Sequence, residues 1–270
     1  MRSLYRIEFL YIIRELKKLE GERFENAYVF NEIYRLKFKH SVNFELGKRI
    51  NLAYIIYPSG QTNRVVQKLR TYRNSILKEV FLLDEDRVVV FDFGNWRLIL
   101  EMFGKGDVMI KEGENTVFYL RHPEPKTKPY KKDLWDSSNM ERYIATAFGK
   151  PYVPLLMDKL TGDIERDVEI VKGMLAPYCS KDDFRVVEAP GFERCDELSP
   201  FLDKLYERAF VDDSKLKALE KSKQQLLEEI EQVKQEIEKN TAIGQAILER
   251  YTEIEEALKK AKEKEFYYDL

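Results

Sequence analysis

Between Ile76 and Glu112 the chain reads ILKEVFLLDEDRVVVFDFGNWRLILEMFGKGDVMIKE, and this stretch narrows the fold more than any other. Val88-Val89-Val90-Phe91 and Trp96 to Phe103 are strand-like apolar runs on either side of a tight turn. A third run, Val108-Met109-Ile110, follows Gly104-Lys105-Gly106. β-Branched and aromatic residues between Gly, Asn and Asp punctuation predict an antiparallel β-meander. An acidic–basic pair, Asp86-Arg87, stands at the start of the first run.

Upstream, Leu4, Ile7, Tyr11, Ile12, Leu16 and Leu19 mark one face of a helix that Gly21 ends. Phe24 to His40 then reads as a hairpin. In its second arm Tyr34, Leu36 and Phe38 alternate with Arg35, Lys37 and Lys39, so period two lines up three cations. That row is either a solvated strand face or a face turned toward RNA. Two more strands are expected at 42–46 and 50–57. A helix from Arg64 to Arg73 places Arg64 and Lys68 four residues apart on one face.

Downstream, the Pro- and Lys-rich PEPKTKPYKK segment (123–132) resists regular structure and reads as a linker. Beyond it the apolar period becomes 3.6. Met140 to Phe148, Tyr152 to Leu160 and Ile164 to Leu175 are expected as short helices joined by Gly-centred turns. Such a helix-hairpin-helix-type element can set backbone N–H groups against a phosphate. From Ser214 a heptad appears, with Leu216, Lys223, Ile230 and Ile237 in one series and Leu219, Leu226, Val233 and Asn240 in the other. Asn240 to Gly244 is expected to break it, and an apolar set resumes at Ile247. The expected outcome is a coiled coil folded back as an antiparallel hairpin; one long helix paired with another chain is the competing reading. The fold class is therefore α+β, with a β-sandwich-like domain and packed helices over 1–122, a linker over 123–135, a helical domain over 136–212 and the coiled coil over 213–265.

The net charge of −2 conceals an asymmetry. Residues 1–80 carry 16 Lys/Arg against 8 Asp/Glu, whereas the remainder is acidic. A basic front suits a polyanion partner. Cys179 and Cys195 do not have CxxC zinc spacing, and two cysteines do not make a disulfide framework, so a reducing, cytoplasmic compartment is expected. Two histidines exclude a His-rich metal centre, and no apolar run approaches the roughly 20 residues that span a membrane. No cofactor or metal is expected. No Ser/His/Asp or Cys/His constellation suggests an enzyme.

Several short motifs, in order and spacing, resemble the NFACT family of ribosome quality-control factors, also described as fibronectin-binding protein A-like. They are Ile7-Glu8-Phe9, Gly21-Glu22-Arg23-Phe24, Tyr34-Arg35-Leu36, Gly47-Lys48-Arg49-Ile50, Gln67-Lys68-Leu69-Arg70, Asp86-Arg87, Gly104-x-Gly106 and Phe148-Gly149-Lys150-Pro151-Tyr152. The family has aspartate where this chain has Glu8, and no counterpart of its NFACT-R domain is present. The chain is either a reduced homologue or the front of a longer protein. The resemblance implies binding to the large ribosomal subunit with an obstructed nascent chain, through rRNA and tRNA. It assigns Asp86, Arg87 and Glu8 to that role.

Arg87, Arg70, Arg23 and Arg49 are candidates for bidentate phosphate contacts, and Lys68 for a point charge. Asp86 would orient Arg87 or accept from a ribose hydroxyl or base edge. Without the resemblance, Asp86-Arg87 reads as a surface turn pair worth about 0–1 kcal/mol. A protein-interaction adapter working through the coiled coil is the alternative function. A glycosylase-like enzyme on DNA, whose domain plan is similar, needs an N-terminal proline nucleophile; here the chain begins Met1-Arg2-Ser3.

Overall fold

Helix α1, Arg6–Leu16, is buried on almost every side, its charged Arg6, Glu8 and Glu15 included. The sequence expectation of one apolar face is too narrow, because each of these charges is paired inside the protein. The computed structural model describes residues 2–58 and 62–265, with side chains described outside 208–217 and 263–265.

Strands β1 (Asn26–Phe30), β2 (Ile33–Lys37), β3 (Ser41–Glu45) and β4 (Arg49–Leu52) form an antiparallel sheet in sequence order. The expected hairpin is in register Asn26↔Lys37 to Phe30↔Ile33. Helix α2, Arg64–Arg70, packs on β1 and is capped by Asn63, whose side chain accepts from the Val66 N–H. The predicted meander is a second antiparallel sheet, β5 (Glu79–Leu82), β6 (Val88–Asp92), β7 (Arg97–Glu101), β8 (Asp107–Glu112) and β9 (Asn115–Tyr119).

One apolar core spans both sheets and the helices, with α1 against β4 and β5. A smaller cluster of Val88, Val90, Ile99 and Met109 covers the other face of the second sheet. That second cluster is why the β6 run is apolar at consecutive positions rather than alternating. At the β6–β7 turn Phe93 stacks on Trp96 with centroids 4.0 Å apart, and Trp96 stacks on Tyr72 at 4.4 Å.

Residues 123–131 have no regular structure, as composition predicts, but a 3-10 turn follows at Lys132–Leu134, and Tyr130 is buried in the core. Helices α3 (Met140–Ala147), α4 (Val153–Leu156) and α5 (Ile164–Met174) follow. Asp163 caps α5, accepting from the Arg166 N–H. The 179–197 stretch, read as irregular, contains three two-residue strands, β10 (Tyr178–Cys179), β11 (Phe184–Arg185) and β12 (Glu193–Arg194), in the order β11-β10-β12. This small sheet overturns one expectation: Cys179 and Cys195 are joined as a disulfide. The β10–β12 pairing aligns Cys179 with Glu193 and so brings Cys195 alongside. Linear spacing does not show this.

The chain divides into two compact units, Met1–Ala209 and Phe210–Leu270. Helix α6 runs Ser199–Glu249 and α7 runs Tyr251–Glu265. The expected break at 240–244 is absent, and Gly244 lies inside α6. At Arg250 the α-helical bonds continue on both sides, Arg250 N–H to the Ala246 carbonyl and Ile254 N–H to the Arg250 carbonyl. With no connecting loop, the fold-back hairpin does not form. A lone glycine costs a helix only about 1 kcal/mol, too little to stop it. No described helix is long and apolar enough to cross a membrane.

Candidate nucleic-acid interface

The turn that presents the Asp-Arg pair is strained. Asp84 and Glu85, side by side, both have φ of +52°. That left-handed region costs a non-glycine residue roughly 1–2 kcal/mol. Three elements hold it there. From α1, Arg6 donates to the Glu85 carbonyl at 3.2 Å, the Asp84 carbonyl at 3.4 Å and the Lys128 carbonyl at 2.6 Å. From the linker, the Thr127 hydroxyl donates to the Asp84 carboxylate. From α5, the Lys172 ammonium donates to the Glu85 carboxylate. Strain of this kind persists where neighbours over-determine it, and it clusters at functional sites.

Asp86 follows the turn and is only 5% exposed. Its carboxylate accepts the backbone N–H of Arg87 at 2.7 Å and that of Lys128 at 2.9 Å. Arg6 Nε and Arg87 Nε each lie 3.7 Å away. Asp86 therefore positions its neighbours, and its charge is already matched. Arg87 differs: its side chain is 37% exposed, and its Nε has no hydrogen-bond partner.

Arg6, Arg87 and Lys128 converge on a cavity of about 210 Å³ whose far wall is Trp135, Thr146 and Gly149. Lys128 Nζ lies 3.8 Å from the Trp135 ring centroid, and the Arg6 guanidinium lies 3.6 Å from that of Tyr130. Burial lowers the Arg6 pKa, an effect that Tyr130 and Asp86 offset only in part. Arginine stays protonated at neutral pH regardless. Three cations thus surround one carboxylate, and this excess of charge leaves the cavity electropositive. Trp135 also walls a second cavity of about 230 Å³ that reaches Arg142, and Arg142 leads on to an open groove of about 660 Å³ bordered by Lys150. The first two cavities are smaller than the 300–1,000 Å³ usual for a free small ligand. In each of the three the cations outnumber the carboxylates, with Asp136 in the second and Glu141 in the third, and such a row beside a half-buried indole suits a linear polyanion bearing flat rings.

The predicted site residues separate into groups. Asp86 and Arg87 belong to this site. Glu8 does not: it is fully buried, accepts from Arg2 at 2.7 and 2.8 Å and from the Tyr5 N–H at 2.6 Å, and takes the Tyr152 hydroxyl at 2.8 Å. Burial and the Glu8 carboxylate hold the Tyr152 phenol well above its ordinary pKa, so it remains a donor. Arg49 is likewise fully buried against Asp203, Asn51 and Tyr57, out of reach of any phosphate. Lys68 and Arg70 sit on α2, where Arg70 Nε donates to the Ala27 carbonyl at 3.1 Å, and they line none of the three cavities. Arg23 is exposed and pairs with Ile76 in an isolated antiparallel bridge outside the two sheets.

Sequence reasoning missed Arg6, Lys128, Trp135 and Arg142. Arg6 looked like the polar side of an amphipathic helix. The available signal was a tryptophan three residues past a lysine-rich linker, Lys131-Lys132-Asp133-Leu134-Trp135.

The sequence matches no protein-family model and no curated protein. Two solved structures share the fold. The N-terminal part of the fibronectin/fibrinogen-binding protein from Streptococcus suis aligns over 76% of this chain and 100% of its own, with TM-score 0.61 and 16% identity. The fibrinogen binding protein from Staphylococcus aureus aligns over 75% of this chain and 98% of its own, with TM-score 0.57 and 14% identity. Over the aligned three quarters of the chain, the α+β architecture described above is therefore similar in fold to these two fibronectin/fibrinogen-binding protein structures.

Proposed function

We propose that this chain is an RNA-binding, ribosome-associated factor of the ribosome quality-control type, which takes large-subunit rRNA or tRNA on obstructed nascent-chain complexes. The supporting observation is the convergence of Arg6, Arg87 and Lys128 on a cavity walled by Trp135, with the Asp86 carboxylate consumed internally. Guanidinium and ammonium groups hold phosphate oxygens, and the indole offers a base a face to stack on. The role is binding rather than catalysis, and the chain acts without a cofactor.

The test is sucrose-gradient sedimentation of the tagged protein in its own cell lysate at low and high salt, with Arg87→Ala/Lys128→Ala beside the wild type. Salt-sensitive co-migration of the wild type with large subunits, lost in the variant, is the expected result. Wild-type protein remaining at the top of the gradient at low salt would sink the proposal. The exposed apolar row of α6, including Leu226 and Val233, favours a second, protein-interaction role. That role is salt-insensitive and indifferent to Arg87.

A further inference from the structure

The heptad of the C-terminal unit never changes phase. Its d positions include Leu219, Leu226, Val233, Ile247 and Ile254, and its a positions Ile230, Ile237, Tyr251 and Leu258. Asn240 and Gly244 fill the intervening d and a without shifting the count. A hydrophobic repeat of seven that keeps its phase from α6 across Arg250 into α7 specifies a single seam along both. That seam is bare: Leu219 is 68% exposed and Leu258 58%, with the residues between similarly open. Helices in water derive most of their stability from burying such a face.

We propose that the seam is occupied by a second copy of this chain, as a parallel, in-register, two-stranded coiled coil. The flanking charges carry the choice of partner and of direction. In a parallel pair each g residue lies beside the e residue five positions further along the other strand. Glu229 then meets Lys234 and Arg250 meets Glu255, each twice by symmetry. Ile243 meets Leu248, so two exposed apolar side chains close over the layer where Gly244 contributes nothing. None of the remaining g–e pairs, Ser222–Leu227, Glu236–Thr241 and Ala257–Lys262, brings like charges together. The fully overlapped antiparallel pair keeps one attraction, Glu229 with Arg250, but sets Glu220 against Glu255, whereas the parallel pair has two attractions and no like-charge contact among these positions. Lys223 at an a position weakens the seam, and a single such polar a residue fixes register and oligomer state.

Sedimentation equilibrium of the full chain tests the proposal. The expected mass is twice the 32.1 kDa of one chain, returning to one chain in Ile230→Asp/Ile237→Asp with the melting of the N-terminal unit unchanged. Ile230→Cys in the full chain is expected to cross-link to a dimer under mild oxidation, because parallel registry brings the two introduced thiols together. The native chain, whose cysteines are bonded to each other, is the control. A single-chain mass at the highest soluble concentration overturns the proposal. So does a dimer that survives the double aspartate substitution, or one in which Ile230→Cys fails to cross-link.

Discussion

The Arg49 guanidinium and the Asp203 carboxylate meet at 2.7 Å with neither side chain exposed. Asp203 also accepts from the Asn51 amide and from the backbone N–H groups of Tyr54 and Ile55, so one carboxylate ties the first sheet to the start of α6. Removing one partner of such a buried pair typically costs about 3–5 kcal/mol. Arg49→Met is expected to lose that much in urea unfolding. A normally stable Arg49→Met with weakened RNA affinity would instead return Arg49 to the RNA surface.

For the cationic cavity the readout is fluorescence anisotropy with a single-stranded RNA oligonucleotide across a salt series. Arg87→Ala and Lys128→Ala are each expected to reduce the log–log salt slope by about 0.7. Trp135→Ala should weaken binding by about 1–3 kcal/mol at every salt concentration, because stacking carries no counterion. Lys68→Ala, outside the cavities, is expected to leave affinity unchanged. If Lys68→Ala matches Lys128→Ala, the interface lies on α2 instead.

Gly47, between β3 and β4, has φ of +71°, and a Cβ built there would stand 2.3 Å from the Gly104 carbonyl oxygen between β7 and β8. The two sheets touch there backbone to backbone, so no side chain can yield. Gly47→Ala is expected to cost about 2 kcal/mol or more. Gly113→Ala, with φ of +58° and nothing within 4 Å of its added Cβ, should cost only the backbone strain. Equal melting temperatures for the two variants would refute the close approach.

Glu197 bonds Lys18 and the Tyr54 hydroxyl, and these two contacts hold its carboxyl below the ordinary range. A depressed folded pKa contributes stability that is present above the unfolded value of about 4.3 and is lost as pH falls through the folded value. Tyr54 mirrors this: the Glu197 hydrogen bond, then burial, push the phenol up to about 12. Its contribution is complete below about pH 10 and fades as pH rises toward the folded value. Thermal melts of Glu197→Gln beside wild type should show a flatter profile at both ends; parallel profiles would remove the contact.

The disulfide closes a loop over a sequence separation of 16 that carries Phe184 and Val186. Phe184 packs under the Arg2 guanidinium, and the Val186 N–H donates to the Tyr152 hydroxyl. Loop closure of this size is worth about 3 kcal/mol. Reductant is expected to lower the denaturation midpoint accordingly. Cys179→Ala/Cys195→Ala should reproduce the loss and no longer respond to reductant.

Elements built from local pattern were legible in the sequence. The alternation in β2 and the Gly- and Asn-punctuated runs of the second sheet gave strands and pairing, because period two and turn chemistry act over a few residues. Paired charges misled the reading. Glu8 and Arg49 have the composition of surface residues, yet each is buried by a partner, Tyr152 144 residues away and Asp203 154 away. Gly244 was given too much weight as a breaker, although the heptad phase ran on through it. Asp86-Arg87 stands out in the sequence, but Lys128 and Trp135, which line the same cavity, reach it only through tertiary packing.

The left-handed turn at Asp84-Glu85 also has a consequence for biosynthesis. Its clamps come from positions 6, 127 and 172, so no early segment of the nascent chain can shape it alone. Contacts of such long sequence separation form late, after loop closure has been overcome. The Arg87 cavity is thus switched on as a whole, near the completion of the N-terminal unit. A half-made chain holds no partial version of it.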